Sequence, residues 1–513
     1  MAAAPGADGK IASGSPDVPD AYTKFPAVRT GNLATPGKGG KLTTLQVSYT
    51  PPPTAHDGNR YWQELEKRLG VKWEPTFVPA ASYNEKFAAQ IAGGDLPEIV
   101  SLGFGIPGGA GAGVSTVLQA INQGVFTDLT PYLDGDNLKE YPNLAAFSSR
   151  LWKNARLKDK IMRVPSPSQL VNNSLIYRPD WAAKVGVPQV RNADDFYRMA
   201  VGMSKMDPDG NGSADTFGFG SNSNGDFNLT GIRCMFRIPQ DWKLNPDGTL
   251  TYYIETPEFK EAITFARRLY EGGAYHPDAA TMDLQKSKDL FIAGKLGGFY
   301  DNTNNSRGDN RLKLRAVNPM AESAAFIPPG YDGGKGSAVN GPGYAYSYAI
   351  PVKVGKDKER VKELLRILDY MAAPVGTEEW QFIRYGIEGA HYTRRDGAPV
   401  KTELWDQERG DFNNLMGVPP TYVDTPLTAG DAVFLQQVQR DLVPLGVDDP
   451  VAAVNSPTRV KSGPQLDQFN IDRRIALIAG REPLSALDGW IRDWRSRGGD
   501  TVRKELEQGL KEV

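Results

Sequence analysis

The chain has 513 residues, which corresponds to about three compact units at the usual size of a domain. Lys and Arg together number 59 and Asp and Glu 61, so the formal net charge is −2, and this balance argues against a protein that binds nucleic acid by neutralising phosphates. The three His residues and the single Cys lack the spacing of metal ligands, which argues against a transition-metal centre and excludes a disulfide within the chain.

The first forty residues are rich in Ala, Gly, Pro and Ser and lack apolar periodicity, which predicts a flexible tether over residues 1–40. Such a linker is typical of the segment between a lipid anchor and a folded domain. Met1, followed by three alanines, is then a start placed after a removed signal peptide and a lipidated Cys. We therefore expect an extracellular lipoprotein, held on a bacterial cell membrane by an N-terminal anchor that precedes this sequence.

Order is predicted to begin at Lys41. Apolar alternation predicts strands over residues 42–49, 71–78 and 98–100, with helices over 59–69 and 82–91 between them. This alternation is the start of a doubly wound α/β domain, whose ligands bind beyond the carboxyl ends of the strands. A glycine-rich run over 103–113 follows the third strand. It has the order of neither a phosphate-binding nor a dinucleotide-binding loop, and we interpret it as a flexible loop at the edge of a ligand cleft.

The second half of the chain repeats the pattern. An extended, proline-marked passage over residues 163–173 predicts a crossover between two lobes, and an aromatic strand over 344–351 is a candidate for a second crossover. Apolar periodicity predicts long helices over 257–271 and 357–371 and a shorter one over 378–385. The remainder is predicted to be mostly helical.

The loop from Asp207 to Asp215, with the sequence Asp-Pro-Asp-Gly-Asn-Gly-Ser-Ala-Asp, carries carboxylate or amide oxygens at alternate positions and a Gly at the sharp turn. Calcium prefers six to eight oxygen ligands, and this spacing wraps them around one ion. The protein ligands are then Asp207, Asp209, Asn211, the Ser213 carbonyl and Asp215. Position 12 of such a loop usually holds Glu but is Gly218 here, so further ligands must come from water or elsewhere. The alternative is a polar turn of the Asp-Gly and Asn-Gly type.

Four motifs, taken together, resemble those of family 1 extracellular solute-binding proteins. They are Tyr177-Arg178-Pro179-Asp180-Trp181 at a helix start, the loop just described after a helix, Gly294-Lys295 before a short strand, and Tyr385-Gly386-Ile387-Glu388-Gly389-Ala390-His391-Tyr392-Thr393. The similarity runs from about Lys41 to the C-terminus. It is nearest to the large lipoproteins that include the alginate-binding proteins of ABC importers.

The resemblance implies an α/β, two-lobed, periplasmic-binding-protein-like fold with discontinuous lobes joined by hinge crossovers. Such a receptor closes on an oligosaccharide and presents it to the transmembrane permease of an ABC importer. One lobe would comprise residues 41–165 and 321–385, and the other residues 166–320, with the calcium loop, and most of the helical part over 386–513. In that family the calcium is structural, and the five loop residues match its ligand positions. Thr216 departs from the carboxylate often found just after the last Asp.

Sugar rings present apolar C–H faces between hydroxyl groups, so a sugar site needs flat aromatic side chains for stacking and short polar side chains for hydrogen bonding. We expect these from loops at strand ends and crossovers. The candidate ligand-binding residues are His56, Asp57, Asn59, Phe104, Ser166, Gln169, Asn172, Asn222, Asn224, Trp242, Asp301, Asn302, Tyr344, Tyr346, Trp380, Glu388 and Trp405. For each single aromatic, a place in the hydrophobic core is the alternative.

Three functions are compatible with the residues alone. The first is a monomeric, non-enzymatic receptor that closes on an oligosaccharide and delivers it to a permease. The second is a secreted glycoside hydrolase or lyase with two acidic residues as acid and base. The third is a peptide receptor of the same fold. The aromatic and amide-rich loops favour neutral sugar over peptide, and no G-x-S-x-G or H-E-x-x-H motif supports other hydrolases.

Overall fold

A computed structural model describes residues 5–31, 34–102, 112–157, 159–221, 225–452 and 454–512. The chain divides into two compact units, each built from two segments. Unit 1 comprises Met1–Leu170 and Pro342–Gln436, and unit 2 comprises Val171–Gly341 and Gln437–Val513. The first boundary lies inside the predicted crossover at 163–173, and the second lies just before the predicted crossover at 344–351. The return at Pro342 comes later than the predicted residue 321, and residues 386–436 belong to unit 1, not to the unit that holds the loop at Asp207.

The strands are short, and the longest have eight residues. Within the described residues they are, in chain order, β1 (Lys10–Ile11), β2 (Asp20–Tyr22), β3 (Lys41–Ser48), β4 (Lys72–Pro79), β5 (Ile99–Ser101), β6 (Arg156–Leu157), β7 (Lys160–Ile161), β8 (Val164–Pro167), β9 (Asn173–Tyr177), β10 (Phe217–Phe219), β11 (Trp242–Leu244), β12 (Leu250–Tyr252), β13 (Leu296–Asn302), β14 (Ala324–Ala325), β15 (Ala338–Val339), β16 (Tyr344–Ala349), β17 (Tyr392–Arg395), β18 (Ala398–Lys401), β19 (Thr421–Val423) and β20 (Gly446–Val447).

The helices carry most of the regular structure. In the same part of the chain they are α1 (Arg60–Leu69), α2 (Tyr83–Gly93), α3 (Ala112–Asn122), α4 (Thr130–Leu133), α5 (Pro142–Ala145), α6 (Ser149–Ala155), α7 (Pro179–Lys184), α8 (Ala193–Lys205), α9 (Leu229–Met235), α10 (Pro257–Glu271), α11 (Leu284–Ile292), α12 (Asp309–Val317), α13 (Val352–Gly355), α14 (Lys358–Met371), α15 (Glu378–Tyr385), α16 (Asp431–Leu442), α17 (Pro457–Ile478), α18 (Leu487–Trp494) and α19 (Asp500–Leu510). Among the described residues, no helix has both the length and the apolar character needed to cross a membrane.

Unit 1 is organised around a five-stranded sheet in the order β4-β3-β5-β16-β8. The strands β3, β4 and β5 are parallel, and β16 runs antiparallel to both β5 and β8. Helix α1 packs its apolar stripe of Tyr61, Leu65 and Leu69 into the core, and all three are fully buried. The helix ends at Gly70, which has a φ of 69° that favours glycine. The strand–helix–strand start expected from the sequence is present with this topology.

The N-terminal segment is folded, which corrects the prediction of a flexible tether over residues 1–40. In its described part, β1 pairs with β2, and β2 pairs in parallel with β19, more than 390 residues further along the chain. Ile11 is 3% exposed and Ala21 is fully buried. The side-chain amide of Gln436 donates to the carbonyls of Ile11 and Pro19. The prediction was wrong because two very short strands leave no periodic signal, and their partner strand lies far away in the sequence.

Unit 2 is organised around a four-stranded sheet in the order β10-β13-β9-β14. β10 and β13 are parallel, whereas β9 runs antiparallel to both β13 and β14. Helices α8, α10, α17 and α18 enclose its main core, in which Trp181, Phe259 and Trp490 are fully buried. The strands β11 and β12 form a hairpin through the turn at Asn245–Gly248, where the backbone N–H of Asn245 donates to the Thr249 carbonyl.

The motif from Tyr385 to Thr393 forms a buried polar connection in unit 1. His391 is fully buried, its Nδ1 accepts from the Ile387 N–H at 3.0 Å, and its Nε2–H donates to the Glu408 carboxylate at 3.0 Å. Gly386 has a φ of 82°, and a Cβ at that position would lie 2.8 Å from the ring of His391. The glycine is therefore needed both for its backbone conformation and for the close approach of the imidazole.

Burial lowers the pKa of His391 below its ordinary value of 6.5, against the opposing effect of Glu408. Protonation of the His391 ring would also break the hydrogen bond from the Ile387 N–H, because Nδ1 would then carry a proton and could no longer accept. Stability from neutral His391 is therefore present above the unfolded pKa and is lost as pH falls through the folded pKa. We expect the Tm advantage of the wild type over His391→Gln, which does not titrate, to shrink from about pH 8 to about pH 5. A constant difference in Tm over that range would contradict this assignment.

Candidate functional site

The carboxyl edge of the unit 1 sheet gathers several strand ends. Ser48 ends β3 beside Pro79, which ends β4, and the register places Tyr344 of β16 opposite Pro167, which ends β8. This is the edge at which ligands of α/β sheets bind. We call the exposed part of this edge, residues Tyr49, Thr50, Ser168 and Tyr346, the tyrosine edge.

Two aromatic rings mark the tyrosine edge. Tyr49, the first residue after β3, is 53% exposed, and Tyr346 of β16 is half-buried. Their ring centroids lie 6.4 Å apart with a tilt of 50°. An exposed large aromatic next to a second one, at the end of a buried strand, is the arrangement that stacks on the C–H face of a sugar ring.

The position of Tyr49 is set by Asp411, which is 7% exposed. One carboxylate oxygen, Oδ2, accepts from the Tyr49 N–H at 2.7 Å, the Thr50 N–H at 3.0 Å, the Ser48 hydroxyl at 2.8 Å and the Thr50 hydroxyl at 2.9 Å. The other oxygen accepts from the side-chain amide of Asn414 at 3.1 Å. Asp411 therefore binds two backbone N–H groups and two hydroxyls at and just after the end of β3, and it fixes the direction in which the chain leaves the sheet.

The corresponding edge of the unit 2 sheet is rich in amides. β13 ends at Asn302, which pairs in register with Asn173 at the start of β9. The Asn302 side chain donates to Asn172 Oδ1 at 2.8 Å. Asp301 accepts from Lys288 Nζ at 2.9 Å and from the Asn305 amide at 2.5 Å. Three predicted residues, Asn172, Asp301 and Asn302, are thus brought together, and we call this group with Asn305 the amide edge.

Several predicted ligand residues are instead buried parts of a unit's interior, and these predictions are corrected. Asn59 is fully buried, because it caps α1 by accepting from Trp62 N–H and donates to the carbonyls of Thr54 and Glu408. The other members of this buried set are at most 7% exposed, and they are Ser166, Gln169, Trp242, Tyr344 and Trp380.

Each of these buried side chains has a structural partner. Ser166 accepts from the Gly417 N–H at 2.8 Å, and the Gln169 amide donates to the Tyr422 hydroxyl at 3.3 Å. The three aromatics pack in the cores. The ring centroid of Trp380 lies 5.6 Å from that of Phe25, and the ring centroid of Trp242 lies 4.9 Å from that of Tyr252. The Tyr344 hydroxyl donates to the Asn154 carbonyl. The core alternative therefore holds for three of the predicted aromatics.

Four further predicted residues, His56, Asp57, Glu388 and Trp405, are accessible but already engaged. Both ring nitrogens of His56 face carboxylates, Glu66 at 3.0 Å and Asp57 at 3.2 Å. Glu388 pairs with Arg394 at 3.0 Å. The ring of Trp405 is covered by Lys401 Nζ at 3.8 Å and the Arg409 guanidinium at 4.5 Å, so it does not offer a free stacking surface. The remaining candidates, Phe104, Asn222 and Asn224, lie outside the described residues.

A groove of about 530 Å³ lies in unit 1 at the opposite edge of the sheet. Tyr132, Tyr141, Val352, Lys358 and Lys362 are among its lining residues. Val352 begins α13, shortly after β16 ends at Ala349, so the groove opens at the amino ends of the parallel strands. Despite its volume, we regard the tyrosine edge as the better candidate, because it lies where parallel strands of α/β folds end and expose their ligand-binding loops.

The loop at Asp207 differs in detail from a ready-made calcium site. Both carboxylate oxygens of Asp207 accept backbone N–H groups, Oδ2 that of Gly212 at 2.9 Å and Oδ1 that of Asn211 at 3.2 Å. Asp215 pairs with Lys295 Nζ at 2.5 Å. Among the described residues no three acidic, imidazole or thiol groups are arranged as a metal centre.

The donor chemistry of the loop nevertheless fits a hard cation. Asp209 Oδ1 is buried and has no hydrogen-bond partner within the described structure. Burial and the neighbouring carboxylate of Asp207 raise the pKa of Asp209, whereas Lys295 holds the pKa of Asp215 below its ordinary value. The Asn211 amide bridges the two at 2.8 Å from Asp209 and 3.2 Å from Asp215. An all-oxygen cluster with an orphaned buried carboxylate oxygen is what calcium binds.

The structure also explains why position 12 of the loop lacks a carboxylate. A Cβ on Gly218 would lie 2.3 Å from the Ala200 carbonyl oxygen and 2.9 Å from that of Ala274. Thr216 is 1% exposed, and its hydroxyl donates to the Met203 carbonyl at 2.8 Å, away from the loop carboxylates. Further ligands to a cation would therefore come from water or backbone carbonyls.

Two residues of the tyrosine edge and its support were missed by the sequence analysis. Tyr49 immediately follows the first predicted strand, and the rule of strand carboxyl ends would have identified it. Asp411 gives no local signal, since its partners lie 361–363 residues earlier in the chain.

A protein-family model described as bacterial extracellular solute-binding protein matches residues 57–378, more than half of the chain. Two relatives come from Bacillus subtilis (strain 168). Lipoprotein LipO is 27% identical over 488 residues, covering 89% of this chain and 90% of its own length. The polygalacturonan/rhamnogalacturonan-binding protein YtcQ is 24% identical over 507 residues, covering 94% of this chain and 95% of its own length.

Solved structures share the fold at low identity. A solute-binding protein from Bifidobacterium longum infantis ATCC 15697, described as HMO-binding and ABC-transporter-associated, superposes with a TM-score of 0.66 at 15% identity. The match covers 92% of this chain and 99% of that protein's chain. The structure of alginate-binding protein AlgQ2 without calcium ion superposes with a TM-score of 0.62 at 16% identity. The match covers 94% of this chain and 100% of the AlgQ2 chain. An EF-hand mutant of the Streptococcus pneumoniae substrate-binding protein FusA, in complex with fructo-nystose, superposes with a TM-score of 0.61 at 17% identity. The match covers 93% of this chain and 99% of the FusA chain. The predicted α/β, two-lobed fold class is confirmed.

Proposed function

The chain belongs to the bacterial extracellular solute-binding proteins, and from this premise we propose that it is the substrate-binding protein of an ABC importer whose solute is an oligosaccharide. The observation that carries the choice of solute is the exposed ring of Tyr49 beside the half-buried ring of Tyr346, at the carboxyl ends of the parallel strands of unit 1. The sugar-binding descriptions of YtcQ and FusA support it.

The tyrosine edge supplies flat apolar surface for the C–H faces of a sugar ring, and the backbone around it is held in place by Asp411 before the ligand arrives. In unit 2, considered by itself, the amide edge carries side-chain amides of the kind that hydrogen-bond hydroxyl groups, in Asn172, Asn302 and Asn305, and these already bond one another and Asp301. The cation of Lys288 is already paired with Asp301 at 2.9 Å, which favours a neutral sugar over an acidic one.

The receptor binds its solute without changing it and delivers it to the transmembrane permease. It acts as a monomer and is attached to the outer face of the cell membrane by a lipid anchor. The lipid anchor is supported by the name of a relative, lipoprotein LipO. A thermal-shift screen of the protein against neutral oligosaccharides, uronate oligosaccharides and peptides tests the solute class. Stabilisation by a neutral oligosaccharide supports the proposal, and stabilisation by peptides alone contradicts it.

Calcium at the loop is a structural part of this proposal. Asp207, Asp209, Asn211, the Ser213 carbonyl and Asp215 would hold the ion. Held by these residues, a calcium ion would supply positive charge between the carboxylates of Asp207, Asp209 and Asp215, in the loop between α8 and β10. The descriptions of AlgQ2 without calcium and of the FusA EF-hand mutant support a metal in this fold.

Removal of calcium is expected to lower the Tm, because the ion binds the folded loop and not the unfolded chain. At a calcium concentration of about 100 times the Kd, this linkage is worth roughly 2.7 kcal/mol. The measurement is a thermal melt with and without chelator, combined with elemental analysis. Asp209→Ala should abolish the response, whereas Asp247→Ala, in the separate turn of the β11–β12 hairpin, should retain it. An unchanged melt together with no bound metal would contradict calcium binding.

A further inference from the structure

Lys295 places a positive charge against the loop that is proposed to bind calcium. Its Nζ lies 2.5 Å from Asp215 Oδ2 and 3.9 Å from Asp209 Oδ2. The residue is fixed just before β13 by two backbone bonds, since its N–H donates to the Leu290 carbonyl and its carbonyl accepts from the Phe217 N–H. Its side chain is 34% exposed, and its ammonium contacts two of the loop carboxylates.

The contacts and charges of the loop make this ammonium a competitor for metal. Asp207, Asp209 and Asp215 carry three negative charges when ionised, and Lys295 offsets one of them, which leaves two for a divalent ion. Asp209 Oδ1 remains buried without a partner, so the ammonium satisfies Asp215 but not the whole cluster. Lys184 also reaches the loop, but it donates to the Pro208 carbonyl at 2.6 Å and pairs with no carboxylate among the described residues.

We propose that Lys295 is a resident counter-cation of the calcium loop. It holds Asp215 and keeps the loop folded when metal is absent, and it competes with metal for Asp215 and so weakens calcium binding. This inference rests on the proposed calcium site and extends it by naming the residue that sets its affinity. The consequence is a receptor whose loop stays ordered at low calcium concentration instead of unfolding.

The test compares wild type, Lys295→Met and Lys295→Gln by calcium titration calorimetry and by thermal melts in chelator. Both variants should bind calcium roughly tenfold more tightly, because the metal no longer displaces an ammonium from Asp215. Both should also melt at a lower temperature in chelator and show a larger calcium-induced rise in Tm. Two independent variants keep the test decisive if one of them fails to fold.

Lys243→Met is the matched control. Lys243 is exposed on β11 of the same unit, and in the described structure it pairs with no loop carboxylate. Its replacement by Met changes the net charge of the protein by the same amount as Lys295→Met. Its calcium affinity should equal that of the wild type. Calcium binding by the wild type with unchanged affinity in both Lys295 variants would overturn the role of Lys295 and leave the calcium site intact. Absence of calcium binding in wild type and variants alike would overturn the calcium site as well.

Discussion

Asp411→Ala is expected to lower the free energy of unfolding by about 2 to 4 kcal/mol and to abolish solute binding measurable by calorimetry. The substitution removes an acceptor for two backbone N–H groups and two hydroxyls after β3, at a position that is 7% exposed. Tyr49 then loses its fixed position, and the binding energy must also order the loop. Urea unfolding and calorimetric titration of the same preparation measure the two effects.

A matched control for this prediction is Asp406→Ala, which removes an exposed acidic side chain a few residues earlier. It should leave both stability and affinity within error of the wild type, because surface substitutions of this kind change stability by roughly 0.5 kcal/mol or less. Equal losses of stability in Asp406→Ala and Asp411→Ala would contradict a special role for Asp411. Unchanged affinity in a destabilised Asp411→Ala protein would separate Asp411 from the binding site.

Removal of either ring of the tyrosine edge is expected to lower the affinity for solute by removing part of the binding surface itself. Tyr49→Ala and Tyr346→Ala should each weaken oligosaccharide binding by roughly tenfold, since a stacked aromatic contributes about 1.4 kcal/mol through contact area and ring geometry. Tyr49 is 53% exposed, so its removal should leave the Tm nearly unchanged. Tyr49→Phe and Tyr346→Phe should retain most of the affinity if stacking dominates.

The groove at the opposite edge of the unit 1 sheet provides the control. Tyr132 is a half-buried aromatic that lines it. Tyr132→Ala should bind oligosaccharide as tightly as the wild type. If Tyr132→Ala loses the affinity that Tyr49→Ala and Tyr346→Ala retain, the solute binds in the groove of about 530 Å³, and the assignment to the tyrosine edge is wrong.

Local periodicity was sufficient for most individual elements. The helices α10 and α15 begin and end at the predicted residues, because a buried stripe with clear boundaries is encoded within one segment. The pairing of β2 with β19 could not be predicted, since neither strand is longer than three residues and they lie about 400 residues apart. Long-range partners, not local propensity, decide whether such a segment is folded.

The candidate site was predictable only in part, for a related reason. The sequence analysis selected Asp301 and Asn302 because they follow a predicted strand, and Tyr346 because it lies in a candidate crossover. It cannot distinguish an exposed ring from a buried one, so Tyr344, two residues before Tyr346, was assigned to the site although it is 2% exposed. Asp411 acts across more than 360 residues and carries no motif.

Oligosaccharide binding without turnover is tested most directly by calorimetric titration of the calcium-loaded protein with a neutral oligosaccharide found by the thermal-shift screen, followed by chromatography of the recovered sugar. We expect saturable binding of one sugar per chain, reduced in Tyr49→Ala and Tyr346→Ala, and recovery of the sugar intact. Recovery of a cleaved product, or the absence of binding to any oligosaccharide while peptides bind, would contradict it.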